Sequence, residues 1–300
     1  RDVERSRGLG DVYKRQVFNE PFTKADLKTA LTRLKNNKSS SFDLICNEML
    51  KTGADILVEP LLLLFNAIHE SGIYPSQWKK DVLQPLHKSG DKSDPNNFRG
   101  IAVSSNLGKL FNQLLLLRLD QFCTRNNLID KCQLSGKKGA RTADHLMVVQ
   151  FLIDKYVKAG KTNLYCCFVD LKKAFDSVNR SKMLYKLVSE YQIGGKFIRI
   201  LQDIYSNNEI FVKQPISLIE SFITQVGVKQ GCVLSPLLFN LFLNKVPQLF
   251  NDGGCDPVFI DDKPLNVLMW ADDLFVVSKS VEGLTTVSYT HLTLPTTPYV

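Results

Sequence analysis

The stretch from Leu265 to Ser278 reads LNVLMWADDLFVVS, two apolar runs separated only by Ala-Asp-Asp. Short runs rich in Val, Leu, Phe and Trp predict strands, and so brief a polar break predicts an antiparallel ribbon. The simplest interpretation of Asp272 and Asp273 is a solvated hairpin turn. However, Asn-Gly or Asp-Gly suits a turn better, whereas Asp-Asp places like charges side by side between apolar strands. The pair therefore suggests a site at the tip of the ribbon.

A further carboxylate ends an apolar strand about a hundred residues earlier, within FVDLKKAFD (168–176). Asp170 closes a strand predicted over Leu164–Val169, and an ionised carboxylate there is costly unless it is paired or bound to metal. Hard divalent cations take carboxylate oxygens, and two such ions about 3.5–4 Å apart clamp a phosphoryl group during transfer. Asp170 and Asp272 could hold such a pair of ions if their strands are neighbours.

Between these carboxylate segments lies GVKQGCVLSP (227–236). Gly231 suits a tight turn, and Ser235 followed by Pro236 suits the N-cap and first residue of a helix. The simplest interpretation is a loop that enters a helix. The functional alternative adds a concave run of backbone amides and the side-chain amide of Gln230, facing a nucleotide.

Elsewhere the hydrophobic periodicity predicts helices mixed with strands, and Thr23 with Asp26 forms a capping box at the start of the first helix. Further helices are predicted at Asn47–Thr52, Pro60–Glu70, Leu107–Phe122, Ala143–Val157, Ser181–Tyr191, Gly195–Tyr205 and Ser235–Phe250. Further strands are predicted at Asp81–Leu86, Ile210–Lys213 and Ser221–Val226, with a charged hairpin-type loop over Lys88–Asn97. The sequence therefore predicts an α+β fold in which helices cover an antiparallel sheet.

The composition excludes several classes of protein. With 300 residues, 44% hydrophobic and 23% charged, the chain is not a disordered, collagen-like or disulfide-dense protein. Its apolar runs, such as Leu61–Phe65, are too short to cross a bilayer, so no membrane partner is expected. A net charge of +8 permits a polyanionic partner, and seven cysteines without a C-x-x-C pair indicate reduced thiols in an intracellular compartment.

Residues 1–16 and 287–300 are interpreted as foreign to the protein. DVYKRQ (11–16) and VSYTHL (287–292) can be back-translated as one DNA element read in opposite orientations. That element resembles the transposase end sequence used to make sequencing libraries; the alternative is coincidence. We therefore expect the natural sequence to lie within 17–286 and exclude both ends from reasoning about the fold.

In order and approximate spacing, five blocks resemble the reverse transcriptase of non-LTR (LINE-type) retrotransposons. The blocks are WKKDVLQPLHKSGDKSDPNNFRGIAVSSNLGKLFNQLLLLRL (78–119), QLSGKKGARTADHL (133–146), VDLKKAFDSV (169–178), GVKQGCVLSPLLFN (227–240) and WADD (270–273). The resemblance implies the fingers and palm of a right-hand polymerase, with an antiparallel palm sheet covered by helices. It also implies that 17–286 lacks a thumb and the last palm strands.

The same resemblance implies the roles of the acidic residues. Asp170, Asp272 and Asp273 would be catalytic, with Asp170, Asp272 and the carbonyl of Leu171 as ligands of two Mg²⁺ ions, or of Mn²⁺. Asp176 would cap the following helix rather than bind metal. Trp270 stands where this family usually has Tyr.

The resemblance further implies how the substrates are bound. Lys88 and Arg99 would contact the incoming triphosphate, and Phe175 would exclude a ribose 2′-hydroxyl. Gln230 and Gly231 would lie beside the nucleotide and the template. The partners would be an RNA template, a DNA primer and a dNTP, and the location would be the nucleus.

Three functional hypotheses therefore stand. The first is an RNA-directed DNA polymerase of a non-LTR retrotransposon. The second is an inactive fragment or domesticated derivative that only binds RNA or an RNA–DNA duplex. The third is another two-metal phosphotransfer enzyme such as a nuclease, in which the Phe175 spacing and the Gln230–Gly231 loop have no role.

Overall fold

A computed structural model of the chain describes residues 17–212 and 221–285. The chain divides into two structural units, each built from two separate segments. The first unit comprises Arg1–Asn126 with Val178–Ser235, and the second comprises Asn127–Ser177 with Pro236–Val300. Both terminal segments interpreted as adapter sequence, and the predicted strand end at Lys213, lie outside the described residues.

The first helix of this unit begins at a side-chain cap. Thr23 accepts from the Asp26 N–H and Asp26 accepts from the Thr23 N–H, which confirms the predicted capping box. Gly72 ends the longest early helix in the left-handed conformation, with φ 72°. The helices are α1 (Lys24–Thr32), α2 (Asn47–Thr52), α3 (Ala54–Ser71), α4 (Asn106–Arg125), α7 (Arg180–Ser189) and α8 (Gly195–Ile204).

The sheet of the first unit has four strands in the order β2-β1-β4-β5. The strands are β1 (Lys80–His87), β2 (Phe98–Val103), β4 (Asn208–Val212) and β5 (Phe222–Thr224). β1 and β2 form an antiparallel hairpin, as the charged loop predicted. β1 and β4 pair in parallel from Lys80 opposite Glu209 to Leu83 opposite Val212, a pairing that local sequence patterns do not predict.

Aromatic side chains fill the core of the first unit. Phe18, Phe65, Phe111 and Phe197 are fully buried, and the Phe65 and Phe111 rings pack with centroids 5.6 Å apart. Burying one such side chain contributes about 1.5–3 kcal/mol.

The second unit contains the ribbon predicted from Leu265–Ser278. Its main sheet is antiparallel, in the order β3-β9-β8, and β6 and β7 form a separate hairpin. The strands are β3 (Tyr165–Asp170), β6 (Val258–Ile260), β7 (Lys263–Leu265), β8 (Val267–Trp270) and β9 (Asp273–Ser278). The helices are α5 (Thr142–Leu152), α6 (Ala174–Ser177), α9 (Ser235–Leu243, in this unit from Pro236 onward) and α10 (Val246–Asp252).

Three predicted helices differ from the observed ones. The helix predicted over Ser235–Phe250 is two helices, because Pro247 cannot continue the hydrogen bonding of the first and instead begins the second. The helix predicted from Pro60 begins at Ala54, so Pro60 lies inside the helix rather than at its start, and the helix exposes Leu63. Beyond Leu152, α5 widens to π-helical hydrogen bonding over Ile153–Ala159.

The hairpin of β6 and β7 was not predicted. Asp261 and Asp262 form its two-residue turn, with φ values of 46° and 60°. Asp tolerates positive φ better than most residues, so the Asp261–Asp262 pair was the feature of the sequence that could have indicated a hairpin turn. Around the hairpin, Leu152, Val258 and Val277 are fully buried and form one apolar cluster of the second unit. Within the described residues, no helix is long and apolar enough to cross a membrane.

Candidate active site

The antiparallel sheet of the second unit brings the predicted carboxylates together. β3 and β9 are neighbours, and Asp170 lies directly opposite Asp273 in their register. Trp270 pairs with Asp273 across β8 and β9, so Ala271 and Asp272 form the turn that joins these strands. The sequence required that the strands next to Asp170 and Asp272 be neighbours if both residues are to hold metal ions. The structure meets this condition.

The carboxylate end of this sheet faces solvent on one side. Alternate residues of β3, namely Cys166, Phe168 and Asp170, are exposed, and Phe168 keeps 82% of its surface accessible. On β9 the residues opposite Phe168 and Asp170 are Phe275 and Asp273, which share that face. The carboxylates thus lie at the end of an accessible, partly aromatic surface.

The charges at this end are of one sign. The pKa of the Asp273 carboxyl is raised, first by loss of hydration and then by the negative charges of Asp272 and Asp170. Like charges held this close indicate that the position suits a cation. The oxygen-rich donor set fits a hard divalent ion.

A complete set of protein ligands is not assembled. Within residues 17–212 and 221–285, no three His, Cys, Asp or Glu side chains are grouped closely enough to hold a metal ion by themselves. Mg²⁺ usually keeps several waters and binds through one or two carboxylates plus substrate phosphates. The arrangement of Asp170 with Asp272 and Asp273 matches that pattern rather than a closed protein cage.

The backbone after β3 turns sharply beneath this site. The Leu171 carbonyl accepts a hydrogen bond from the Ala174 N–H at 3.2 Å, and Lys173 has φ 52°. A carbonyl oxygen has two lone pairs, so this bond leaves one for an ion. Leu171 can therefore keep the role that the resemblance implies.

Phe175 is fixed by a stacked partner. Its ring lies parallel to that of Phe239 on α9, with centroids 4.4 Å apart and an interplanar angle of 14°. Asp176, by contrast, does not cap the next helix as expected. Asn179 caps α7, because its side chain accepts from the Lys182 N–H at 2.9 Å.

The expected triphosphate contacts, Lys88 and Arg99, belong to the β1–β2 hairpin of the first unit. The Lys88 N–H donates to the Asn97 carbonyl at 2.8 Å, and Arg99 lies opposite Leu86. Because side chains alternate between faces, Lys88 and Arg99 project from the same face of the hairpin. Both side chains are exposed, so their charges are available to an anionic ligand.

The loop that carries Gln230 and Gly231 is fastened to the sheet of the first unit. The Ala102 N–H of β2 donates to the Gln230 carbonyl at 3.0 Å. Gly231 has φ 106°, and a Cβ there would lie 2.8 Å from the Ala102 carbonyl oxygen, so glycine is required. The loop then enters α9, where Ser235 Oγ donates to the Lys229 carbonyl at 2.8 Å.

A buried ion pair beneath this loop was missed by the sequence analysis. Lys229 Nζ lies 2.9 Å from Asp81 Oδ2, and the two side chains are 8% and 0% exposed. Asp81 is the second residue of β1 and is followed directly by Val82 and Leu83, which was the available signal. The pair ties the loop to β1.

Comparisons with known proteins identify the family of the chain. The model of the family described as "Reverse transcriptase (RNA-dependent DNA polymerase)" matches residues 86–293, more than half of the chain. The RNA-directed DNA polymerase from mobile element jockey of Drosophila melanogaster is 26% identical over 271 residues, 86% of this chain and 27% of the relative. The "Probable RNA-directed DNA polymerase from transposon X-element" of the same species is 26% identical over 231 residues, 76% of this chain and 25% of the relative. The chain thus spans about a quarter of these relatives.

Two solved structures share the fold. Apo telomerase from Candida tropicalis, truncated from its C-terminal domain, has a TM-score of 0.51 and 15% identity, covering 84% of this chain and 54% of that one. Telomerase from the same species in complex with a fragment of telomeric RNA has a TM-score of 0.52 and 15% identity, covering 84% and 43%. These likenesses confirm the predicted α+β fold of polymerase fingers and palm.

Proposed function

The chain belongs to the reverse transcriptase (RNA-dependent DNA polymerase) family, and from that premise we propose that it is part of an RNA-directed DNA polymerase of a non-LTR retrotransposon. The observation that carries the proposal is the position of Asp170 opposite Asp273, with Asp272 in the adjoining turn, on a sheet that the family match covers. The proposed partners are an RNA template, a DNA primer and a deoxynucleoside triphosphate. A nuclear location is proposed from the family alone.

Asp170 and Asp272, with the carbonyl of Leu171, would hold two Mg²⁺ ions at the exposed end of the sheet. When bound, such ions activate a primer 3′-oxygen for in-line attack on the α-phosphorus and stabilise the leaving pyrophosphate. Asp273 would add negative charge beside these ligands and so favour cation binding. The reaction needs no covalent enzyme intermediate, so no activated nucleophile is required from the chain.

Other side chains would select and orient the nucleotide. Lys88 and Arg99 would bind the triphosphate by charge-assisted hydrogen bonds, which are stronger than neutral ones. The Phe175 ring, held flat against Phe239, would occupy the space that a ribose 2′-hydroxyl needs. Gln230 would present its side-chain amide beside the nucleotide. Its own backbone carbonyl is already held by the hydrogen bond from the Ala102 N–H.

The test is Mg²⁺-dependent primer extension on an RNA template by the protein encoded by the full gene, with Asp272→Asn as control. Extension that this substitution abolishes supports the proposal. Template binding without extension would favour the duplex-binding alternative, and cleavage without synthesis would favour a nuclease. A Phe175→Val arm is expected to raise ribonucleotide incorporation while deoxynucleotide incorporation persists.

A further inference from the structure

Gln133 is a buried amide that contacts the backbone of the carboxylate turn. Only 1% of the surface of Gln133 is exposed. Oε1 accepts from the Ala271 N–H at 3.0 Å, and Nε2 donates to the Ala271 carbonyl at 3.2 Å. Oε1 also accepts from the Ser135 N–H at 3.1 Å. Because two N–H groups donate to the same atom of the Gln133 amide, that atom must be the oxygen, and the orientation of the amide is fixed by its partners.

These bonds extend a short backbone pairing. The Met269 N–H donates to the Cys132 carbonyl at 2.8 Å, and the Leu134 N–H donates to the Met269 carbonyl at 3.1 Å. Gln133 thereby pairs with Met269 in parallel at the edge of β8. Its side chain supplies the next pair of hydrogen bonds, two residues further on, where the turn begins.

The residue held in this way is in a costly conformation. Ala271 has φ 56°, and a non-glycine residue pays about 1–2 kcal/mol in the left-handed region. Such a conformation persists only when its surroundings determine it strongly. The pair of bonds from Gln133 fixes both the N–H and the carbonyl of Ala271, immediately before Asp272.

The segment that carries Gln133 is itself anchored. Asn240 on α9 donates to the Ser135 carbonyl at 2.8 Å. Just beyond α9, Asn244 donates to the Leu128 carbonyl at 2.6 Å and accepts from the Asp130 N–H at 2.7 Å. A continuous set of hydrogen bonds therefore leads from this helix, through Gln133, to the carboxylate turn.

We propose that Gln133 is a positioning residue for the polymerase reaction: its amide sets the backbone of Ala271 and hence the direction of the Asp272 and Asp273 carboxylates. It touches neither substrate nor metal. The inference rests on the proposed function for its kinetic consequence, whereas its structural part, that Gln133 holds the turn, is independent of it.

Two variants and a matched control separate positioning from simple packing. Gln133→Met keeps the volume and removes all three hydrogen bonds, whereas Gln133→Glu keeps an oxygen for the two N–H groups and replaces the donor to Ala271 with a second carboxyl oxygen. Gln150→Met is the control, since Gln150 lies on α5 of the same unit, is exposed, and also loses a side-chain hydrogen bond, to Asp154 at 2.9 Å.

The structural arm measures hydrogen–deuterium exchange in the peptide spanning 267–275. Gln133→Met is expected to speed exchange there and to leave β3 unchanged, with Gln133→Glu intermediate and Gln150→Met equal to the parent. Unchanged exchange in 267–275 would overturn the inference. If Gln133→Met does not fold, Gln133→Glu decides by the same peptide.

The kinetic arm uses primer extension by the protein of the full gene. Gln133→Met is expected to lower kcat by about 10–100-fold, the usual effect of losing a group that orients metal ligands. The KM for the dNTP should change little, and Gln133→Glu should recover part of kcat. An unchanged kcat, or an effect on KM alone, would overturn the positioning role. Extension that survives Asp272→Asn would instead refute the proposed function, and exchange would still decide whether Gln133 holds the turn.

Discussion

Asp170 and Asp273 occupy directly opposed positions on neighbouring antiparallel strands, at the end where both strands reach solvent. Residues opposed in this way have Cβ atoms about 4.5–5.5 Å apart, and like charges there are destabilising. The fold therefore tolerates a local electrostatic cost at the point where the family's chemistry is expected. Such a cost is typical of sites built for a ligand rather than for stability.

Asp273→Asn should stabilise the metal-free chain, because it removes one of two opposed negative charges. The expected gain in the free energy of unfolding is about 0.5 kcal/mol, measured by urea denaturation. Saturating Mg²⁺ should reverse the order, since the parent chain binds the ion more tightly and ligand binding to the native state raises stability. Equal stabilisation of both proteins by Mg²⁺ would contradict a cation site at this pair.

Lys229→Met should destabilise the first unit severely. The substitution leaves Asp81 fully buried without its cation, which typically costs about 3–5 kcal/mol. The matched control is Lys80→Met, because Lys80 pairs with Glu209 at 3.6 Å near the surface, where loss costs at most about 1 kcal/mol. Chemical denaturation measures both. Adding Asp81→Leu to Lys229→Met should restore most of the loss, and a double variant as unstable as the single one would refute the assigned role.

Gly231→Ala should cost more than Gly139→Ala. Both glycines have positive φ, 106° and 84°, so both substitutions pay backbone strain of about 1 kcal/mol. Only at Gly231 would the new Cβ meet a backbone atom, the Ala102 carbonyl oxygen at 2.8 Å, whereas nothing lies within 4 Å at Gly139. We expect a loss of unfolding free energy about twice as large at Gly231 or more. Equal losses would mean that the loop can move away from β2.

His69 should make the stability of the first unit depend on pH. Burial lowers the pKa of this imidazole from 6.5 to about 4, with further lowering by Arg118 and Lys196, and a hydrogen bond with the Phe18 backbone and the charge of Glu70 oppose it. The folded state therefore favours the neutral ring, while the unfolded chain takes up a proton near pH 6.5. The contribution of His69 to the free energy of unfolding is fully present above pH 6.5. It is lost as the pH falls toward 4, by up to about 3 kcal/mol.

The measurement is the free energy of unfolding between pH 4 and 7.5, compared with a His69→Gln variant. The variant should lack this component, since glutamine does not titrate. The His69 ring packs 4.9 Å from that of Phe22, so the variant also has a pH-independent loss that shifts its whole curve. Parallel curves for the two proteins would contradict the assignment to His69.

Much of the fold could be predicted because its signals are local. The capping box at Thr23, the hairpin of β1 and β2, and the ribbon around Asp272 each depend on residues a few positions apart. The family and its α+β fold were also predicted correctly, since ordered blocks carry more information than any single motif. The assignment of Asp170, Asp272, Lys88 and the other site residues stays a prediction.

What could not be predicted depends on partners that are distant in the chain. Nothing near Lys80 indicates that β1 pairs in parallel with β4, which begins more than a hundred residues later. The role of Gln133 likewise depends on Ala271, 138 positions away. The break in the helix before Pro247 is different, because a proline in the sequence does indicate it. The prediction missed the break because the hydrophobic periodicity of a helix continues on both sides of Pro247.

The parallel pairing of β1 with β4 sets an order of events on the ribosome. β1 is an inner strand of its sheet, but its second neighbour is translated only after the whole of Asn127–Ser177 has been made. At about 5–20 residues per second, the nascent hairpin waits roughly 5–25 s with one edge unpaired. An open strand edge invites pairing with other chains. Synthesis of this protein therefore includes a window of several seconds in which β1 is open to pairing with another chain.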